Sequence, residues 1–480
     1  MGAQPASSPA IVWFRRDFRL ADNPALSAAA ETDRPLILLY IRDEALEGRP
    51  IGAASRWWLD KTLKAFDAAL GEFGQRLVLR HGDSVEVLKA LIAETGAGAV
   101  FLNTLPEPAA RARDERLADA LGVPVRAFEA ATLAQPGSVL NGSGLPYKVF
   151  TPFYRALRAR LDLPDLRARP RRLAAPAARP ESERLEDWRL HPKRPDWSEG
   201  FNLWTPGEAG AFAALDAFLD GPVNDYPTGR DRPDKAGTSR LSPHLHWGEI
   251  SPWRVIVDAQ AAAHRGDART GAVEKLMTEV GWREFNHHLL AAFPALPTKS
   301  FDPKYAAFPW RDDPQGLEAW RRGLTGYPMV DAGMRELWAT GFMHNRVRMV
   351  VASFLIKDLM IDWREGEAWF WDTLVDADLA NNTANWQWVA GSGADAAPFF
   401  RIFNPASQGE RFDPDGVYVR RWVPELARLP DRWLHAPWTA PRAVLEEAGV
   451  SFGGAYPQPI VAHREARARA LAALRSLKQL

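Results

Sequence analysis

Over the first ~130 residues, short apolar runs at 10–14, 36–41, 76–80 and 99–102 alternate with stretches of helical periodicity at 53–73 and 84–94. Such alternation predicts parallel βαβ units, and hence an α/β, Rossmann-like N-terminal domain built on a parallel sheet. No Gly-x-Gly-x-x-Gly follows the first run and no Gly-Lys-Ser/Thr loop occurs. Ordinary dinucleotide or ATP binding is therefore not expected, although the strand ends of such a sheet can hold a planar ligand. Beyond residue 205 strand patterns vanish. Helix patterns recur at 207–219, 270–292, 317–322, 327–339, 345–359 and 365–374, and the tail from 461 reads as helix. The stretch 161–204 is rich in Pro, Arg and Ala, lacks periodicity, and reads as a connector over a surface. The expected organisation is an α/β domain at 1–135, a connector at 136–204 and a larger all-α domain at 205–480.

Composition narrows the chemistry. The 480 residues contain no cysteine, which excludes disulfides, Fe–S clusters and thiolate catalysis; redox work would need another carrier. Lys plus Arg and Asp plus Glu stand at 60 each, so no global field draws the chain to nucleic acid, and any such contact must use a local basic patch. No apolar run approaches the roughly 18 residues of a membrane span, and residues 1–5 lack a basic segment followed by an apolar one. A cytoplasmic protein is the expectation.

Chemistry concentrates between Gly326 and Phe412. That stretch holds Gly-Tyr-Pro-Met-Val-Asp (326–331), Met-His-Asn-Arg-Val-Arg-Met (343–349), Asp-Ala-Asp (376–378), Asn381-Asn382, Trp-Gln-Trp (386–388) and Arg-Ile-Phe-Asn-Pro (401–405). Upstream, Gly237-Thr238-Ser239-Arg240-Leu241-Ser242-Pro243 offers three hydroxyls and several backbone amides before a predicted helix, a cradle for phosphate oxygens that a plain helix cap explains as well. Glu279, Trp282 and Arg283 stand at i, i+3 and i+4 and share one helix face. Asn345 and Met349 lie four apart on another. As a metal motif Asp376-x-Asp378 would suit Mg²⁺ or Ca²⁺, but no histidine supports it and no metal is expected.

Together these strings resemble the DNA photolyase and cryptochrome family, and the similarity runs from Trp13-Phe14-Arg15-Arg16-Asp17-Phe18-Arg19 to Tyr456-Pro457-Gln458-Pro459-Ile460-Val461. The resemblance implies FAD, active as FADH⁻. Its contacts would be Tyr226, Thr238, Ser239, Arg240, Leu241 and Ser242, with Arg348, Asp376, Ala377, Asp378 and Asn382 around the ring system. Arg348 would pair with Asp376, and Asn382 would face the flavin N5, where repair enzymes of the family carry Asn. Glu279 would hydrogen-bond the damaged bases, with Trp282 and Trp388 as apolar walls. Arg230, Arg283, Arg346, Arg401 and Gln408 would hold the DNA. Among 20 tryptophans, Trp386, Trp363 and Trp310 match an electron wire running from the flavin to the surface.

The closest likeness is to bacterial class I cyclobutane pyrimidine dimer photolyases, which repair damaged double-stranded DNA as monomers without an obligate protein partner. The (6-4) photolyases place histidines where this chain has Asn345 and Met349, so these two residues favour cyclobutane dimers. His344 beside them reads as structural. The alternatives are a cryptochrome-type blue-light sensor, a (6-4) enzyme and a single-strand-restricted relative; the chain ends about twenty residues past Tyr456–Pro459, leaving no long signalling tail of the sensor kind. For the antenna chromophore, Ala109 and Ala110 replace the Asn-Glu pair that precedes Arg-x-Arg-Asp in folate-binding relatives. Glu107-Pro108 is similar to the deazaflavin-binding version, but Leu105 stands where that version has aspartate. Methenyltetrahydrofolate ranks ahead of deazaflavin, with an empty site as the third expectation.

Overall fold

The computed structural model describes residues 8–45, 48–396 and 400–477. The opening residues 1–5 lie outside the described residues, as do 397–399 of the 326–412 stretch. Five parallel strands, β1 (Ala10–Phe14), β2 (Leu36–Arg42), β3 (Leu77–His81), β4 (Ala99–Asn103) and β5 (Val125–Phe128), form one sheet in the order β3-β2-β1-β4-β5. In β1 every residue is buried, as expected of a parallel sheet covered on both faces. Register is set by Ala10 opposite Leu36 and Ala99. Helices α1 (Pro24–Ala30), α2 (Ala53–Gly71) and α3 (Ser84–Thr95) supply crossovers, and side chains cap two of them: Asn23 accepts from Leu26 N–H, and Asp83 from Val85 and Glu86 N–H.

The predicted α/β architecture and helical remainder are borne out. β5 was not foreseen. It is a four-residue edge strand, Val-Arg-Ala-Phe, with no residue fully buried, so its apolar signal is weak. The connector is ordered through backbone bonds to the sheet: Leu36 N–H at the start of β2 donates to Ala174 O at 2.8 Å, and Glu183 N–H donates to Leu79 O at 2.9 Å on the outer edge of β3.

By contact density the chain divides into two units that do not follow chain order: 1–196, 204–220 and 239–292 in the first, and 197–203, 221–238 and 293–480 in the second. The first unit adds α4 (Phe150–Arg158) and the 23-residue α5 (Thr270–Ala292) to the sheet. The second is helical, with α6 (Pro328–Thr340), α7 (Asn345–Ser353), α8 (Trp363–Thr373), α9 (Leu379–Ala390) and α10 (His463–Leu477). The expected 345–359 helix is corrected: α7 gives way to a π turn at Phe354–Asp358. Its wider pitch buries Lys357 and Asp358, and Asp358 meets His463 Nδ1 at 2.5 Å while its carbonyl accepts from Arg469 at 2.7 Å, so α10 docks there. Helix α9 was also missed; its Asn-rich surface weakens helical propensity, and burial of Leu379, Trp386 and Val389 decides it.

Gly326–Asp331, grouped with the site strings by sequence, has a mechanical role. Buried Asp331 accepts from Thr325 N–H at 2.7 Å, Gly326 N–H at 3.0 Å and Tyr456 OH at 2.6 Å. Gly326, at φ 79°, lies so near the Gln458 carbonyl that a Cβ would come within 2.5 Å. The string therefore clamps the 456–461 segment.

Candidate functional site

In the first unit, α5 presents Lys275, Glu279, Trp282 and Arg283 on its half-exposed face, because i, i+4, i+7 and i+8 fall on one stripe. Trp282 stacks on Phe150 of α4 with centroids 3.8 Å apart and planes 7° apart, so one face of the indole is covered by protein. Glu279 forms an ion pair with Lys275 at 2.8 Å. Arg283 is paired with the adjacent Glu284 at 3.0 Å and its side chain is only 13% exposed. Glu284 is wholly buried; desolvation pushes its carboxyl up to about 7, against the pull of Arg283 and of the Leu133 N–H it accepts at 2.7 Å.

The Thr-Ser-Arg-Leu-Ser loop divides between the units. In the first, Arg240 adopts φ 52° and its guanidinium lies 5.9 Å from the Trp204 ring, Leu241 is buried, and Ser242 opens a helix of five residues, Ser242–His246. That helix is too short for a large dipole, so the hydroxyls and loop N–H groups must carry any anion binding. In the second unit, Tyr226 is buried with Arg230 5.7 Å over its ring, and Gly237 packs on the Gly229 carbonyl, where a Cβ would approach to 2.6 Å. Thr238 is half-buried.

Three polar pairs lie about α7, α8 and α9 within the second unit. Arg348 reaches Asp376 at 2.9 Å and donates to Met343 O at 2.7 Å. Asp378 caps α9 by accepting from Asn381 N–H at 2.9 Å and from the Asn381 amide at 2.7 Å; Ala377 between the two aspartates is buried. Asn382 donates both hydrogens of its amide to Glu367, at 3.0 Å to the carbonyl and 2.9 Å to Oε1. Its own oxygen accepts from none of the described residues. Glu367 escaped sequence reading, since fifteen positions separate it from Asn382 and no local pattern links them.

Around these pairs, Trp386 and Trp363 are buried and Trp310 is half-buried. Trp386 packs on Gly366 of α8, one turn from Trp363, and stands 5.0 Å from the Phe370 ring. Trp310 contacts Phe308 at 4.3 Å, and Arg311 N–H bonds Met360 O at 2.8 Å, three residues before Trp363. The structure thus gathers the three about the start of α8. Trp320, which sequence reading passed over, lies 6.2 Å from Trp386.

Asn345 opens α7 and is exposed; Met349 is half-buried one turn on. Arg346 is held between Asp231 at 2.7 Å, the Phe412 face at 4.4 Å and the Met349 sulfur at 3.8 Å. His344 caps α7, its Nδ1 accepting from Arg346 N–H at 3.2 Å, and burial lowers its pKa to about 4. That fits the structural role expected of it. Arg401 is exposed and sits 5.5 Å over Trp388, while Gln408 is half-exposed on the Pro405–Phe412 helix.

At the carboxyl ends of β1 and β2 a small open pocket is lined by Arg15, Arg16, Arg42 and Arg49 together with Asp43, Glu44, Tyr40 and Trp247. Glu107 is buried and ion-paired with Arg16, and Asp114 pairs with Arg15 at 2.8 Å.

Comparison with known proteins places this geometry. The model described as DNA photolyase matches residues 10–177, and that described as the FAD binding domain of DNA photolyase matches 276–476. The deoxyribodipyrimidine photo-lyase of Agrobacterium fabrum is 52% identical over 478 residues, covering 98% of this chain and 99% of that protein. Cryptochrome-1 of Arabidopsis thaliana is 40% identical over 486 residues, covering 98% of this chain and 70% of its own. A bacterial class III photolyase from Agrobacterium tumefaciens superposes with a TM-score of 0.97 at 50% identity, each chain covered in full. Its class differs from the class I enzymes whose motifs the sequence resembles.

Proposed function

The chain belongs to the DNA photolyase family, and on that premise we propose that it splits cyclobutane pyrimidine dimers in duplex DNA under light. The observation that carries the choice of lesion is the Asn345–Met349 pair on one face of α7, which offers no imidazole for the acid chemistry of a (6-4) lesion. FAD, expected from the matched domain, supplies when bound and reduced a light-excited electron donor that recovers its electron at the end of the cycle.

The residues suit that cofactor. Asn382 has a buried amide whose donors are spent on Glu367, leaving an acceptor for a flavin N–H without adding charge. Arg348, neutralised by Asp376, and the α9 cap Asp378 are the polar groups we assign to the ring edge. Tyr226, Thr238, Ser239, Arg240, Leu241 and Ser242 are assigned to the pyrophosphate. Trp386, Trp363 and Trp310 are assigned to reloading the cofactor with electrons, the first two buried and Trp310 half-buried.

On the substrate side, a dimer must leave the duplex stack, which costs a few kcal/mol and less for a distorted pair. Trp282, backed by Phe150, is assigned as an apolar wall for the extruded bases and Glu279 as their carboxylate, with Trp388 as a second wall. Arg230, Arg346, Arg401 and Gln408 are assigned to the backbone, with Arg283 acting through its charge, since its guanidinium is engaged by Glu284. We assign 1–135 to an antenna domain, 136–204 to the connector and 205–480 to catalysis. For the antenna we keep methenyltetrahydrofolate ahead of deazaflavin; the pocket at the strand ends is the place to look for it.

The deciding test is illumination of the purified, reduced protein with duplex DNA carrying one defined cyclobutane dimer, with a (6-4) lesion and single-stranded DNA in parallel. Splitting of the duplex dimer supports repair. No splitting of any lesion would favour the sensor reading that the cryptochrome relative makes the alternative.

A further inference from the structure

On α5 the lesion-facing carboxylate has a partner of its own. Lys275 Nζ lies 2.8 Å from Glu279 Oε1, with the side chains 35% and 24% exposed. The two stand at i and i+4 with the cation N-terminal, the less favourable order for helix stability. Half-exposed pairs of this kind add little to a fold. Helix α5 is in any case anchored from its other faces: Glu284 accepts Leu133 N–H at 2.7 Å, His288 accepts Gly137 N–H at 2.8 Å, and Trp282 stacks on Phe150. Removing the ammonium would leave α5 in place and change one thing, the charge beside Glu279.

An ammonium in contact fixes where the oxygens of the carboxylate point. Only the carboxylate is purely an acceptor, and the group it can accept from on a pyrimidine edge is an N–H. We propose that Lys275 is a positioning residue of the lesion site, holding Glu279 as the acceptor that reads the imide N–H of the extruded base. The inference rests on the repair reading above and deepens it. The neighbouring charges on this helix pair elsewhere, Glu274 with Arg158 and Arg283 with Glu284, so on α5 it is Lys275 that contacts Glu279.

The test is dark binding of the FAD-loaded protein to a labelled duplex with one thymine dimer, and to the same duplex undamaged, followed by fluorescence anisotropy. Lys275→Met should weaken dimer binding about threefold or more, Lys275→Arg should retain it, and Lys275→Met should add nothing in a Glu279→Gln background. Binding to undamaged duplex should stay unchanged. Equal weakening in the Glu279→Gln background, with a salt slope reduced by about one, would identify Lys275 as a phosphate contact and overturn the proposal. Unchanged dimer binding in Lys275→Met would overturn it too. A wild-type protein with no preference for the dimer duplex would instead refute the repair reading, and the inference with it.

Discussion

Gly366 is the floor on which Trp386 rests: a Cβ at 366 would come within 2.5 Å of the indole Cζ3 and would overlap its outer edge. The absent side chain lets α8, which begins at Trp363, approach the tryptophan assigned to the flavin side of the wire. Gly366→Ala should therefore displace Trp386 and cost about 1–3 kcal/mol through overpacking. Thermal unfolding checks the stability, and the yield of flavin photoreduction checks the wire.

Trp386→Phe tests the same path without moving the helices. The variant should lose photoreduction of oxidised flavin yet still repair dimers when reduced chemically beforehand. Normal photoreduction in that variant would move the electron path elsewhere, with Trp320, 6.2 Å from Trp386, the first place to look.

Glu367 decides which end of the Asn382 amide is available. Glu367→Ala removes the Oε1 acceptor and leaves the backbone carbonyl, so one amide N–H of Asn382 is released, and an N–H suits the unprotonated N5 of the oxidised flavin. The two-electron potential should fall by about 30 mV, a tenfold change in the equilibrium. Spectroelectrochemical titration reads it; an unaltered potential would remove Asn382 orientation from the control of redox state.

His288 provides a pH signature. Burial lowers its pKa from 6.5 to about 4, with Arg160 adding to the shift, while Nδ1 accepts the Gly137 N–H at 2.8 Å. Between these values the unfolded chain takes up a proton that the folded one refuses. Its contribution is therefore present above pH 6.5 and is lost as pH falls towards 4. By linkage the loss is about 3 kcal/mol. His288→Gln should flatten that part of the profile, as measured by urea midpoints between pH 4 and 7.

What the sequence determined alone is whatever repeats locally. Alternating apolar runs specified the parallel sheet, because a strand buried on both faces must be apolar throughout. Helical spacing placed Asn345 with Met349, and Glu279 with Trp282 and Arg283, on common faces; the same i, i+4 rule would have paired Lys275 with Glu279 had it been applied there. Motif strings were enough to identify the family. Tertiary structure decided what depends on distances between elements remote in sequence. The amide of Asn382 is oriented by Glu367, α8 meets Trp386 through a glycine, and the helix after Ser353 widens to place Asp358 against His463. Gly326–Asp331 proved to be a clamp on the chain's end because Tyr456, 125 positions from Asp331, delivers its hydroxyl there. Periodicity reports which side of an element faces inward, whereas the identity of the group waiting on that side is set by packing.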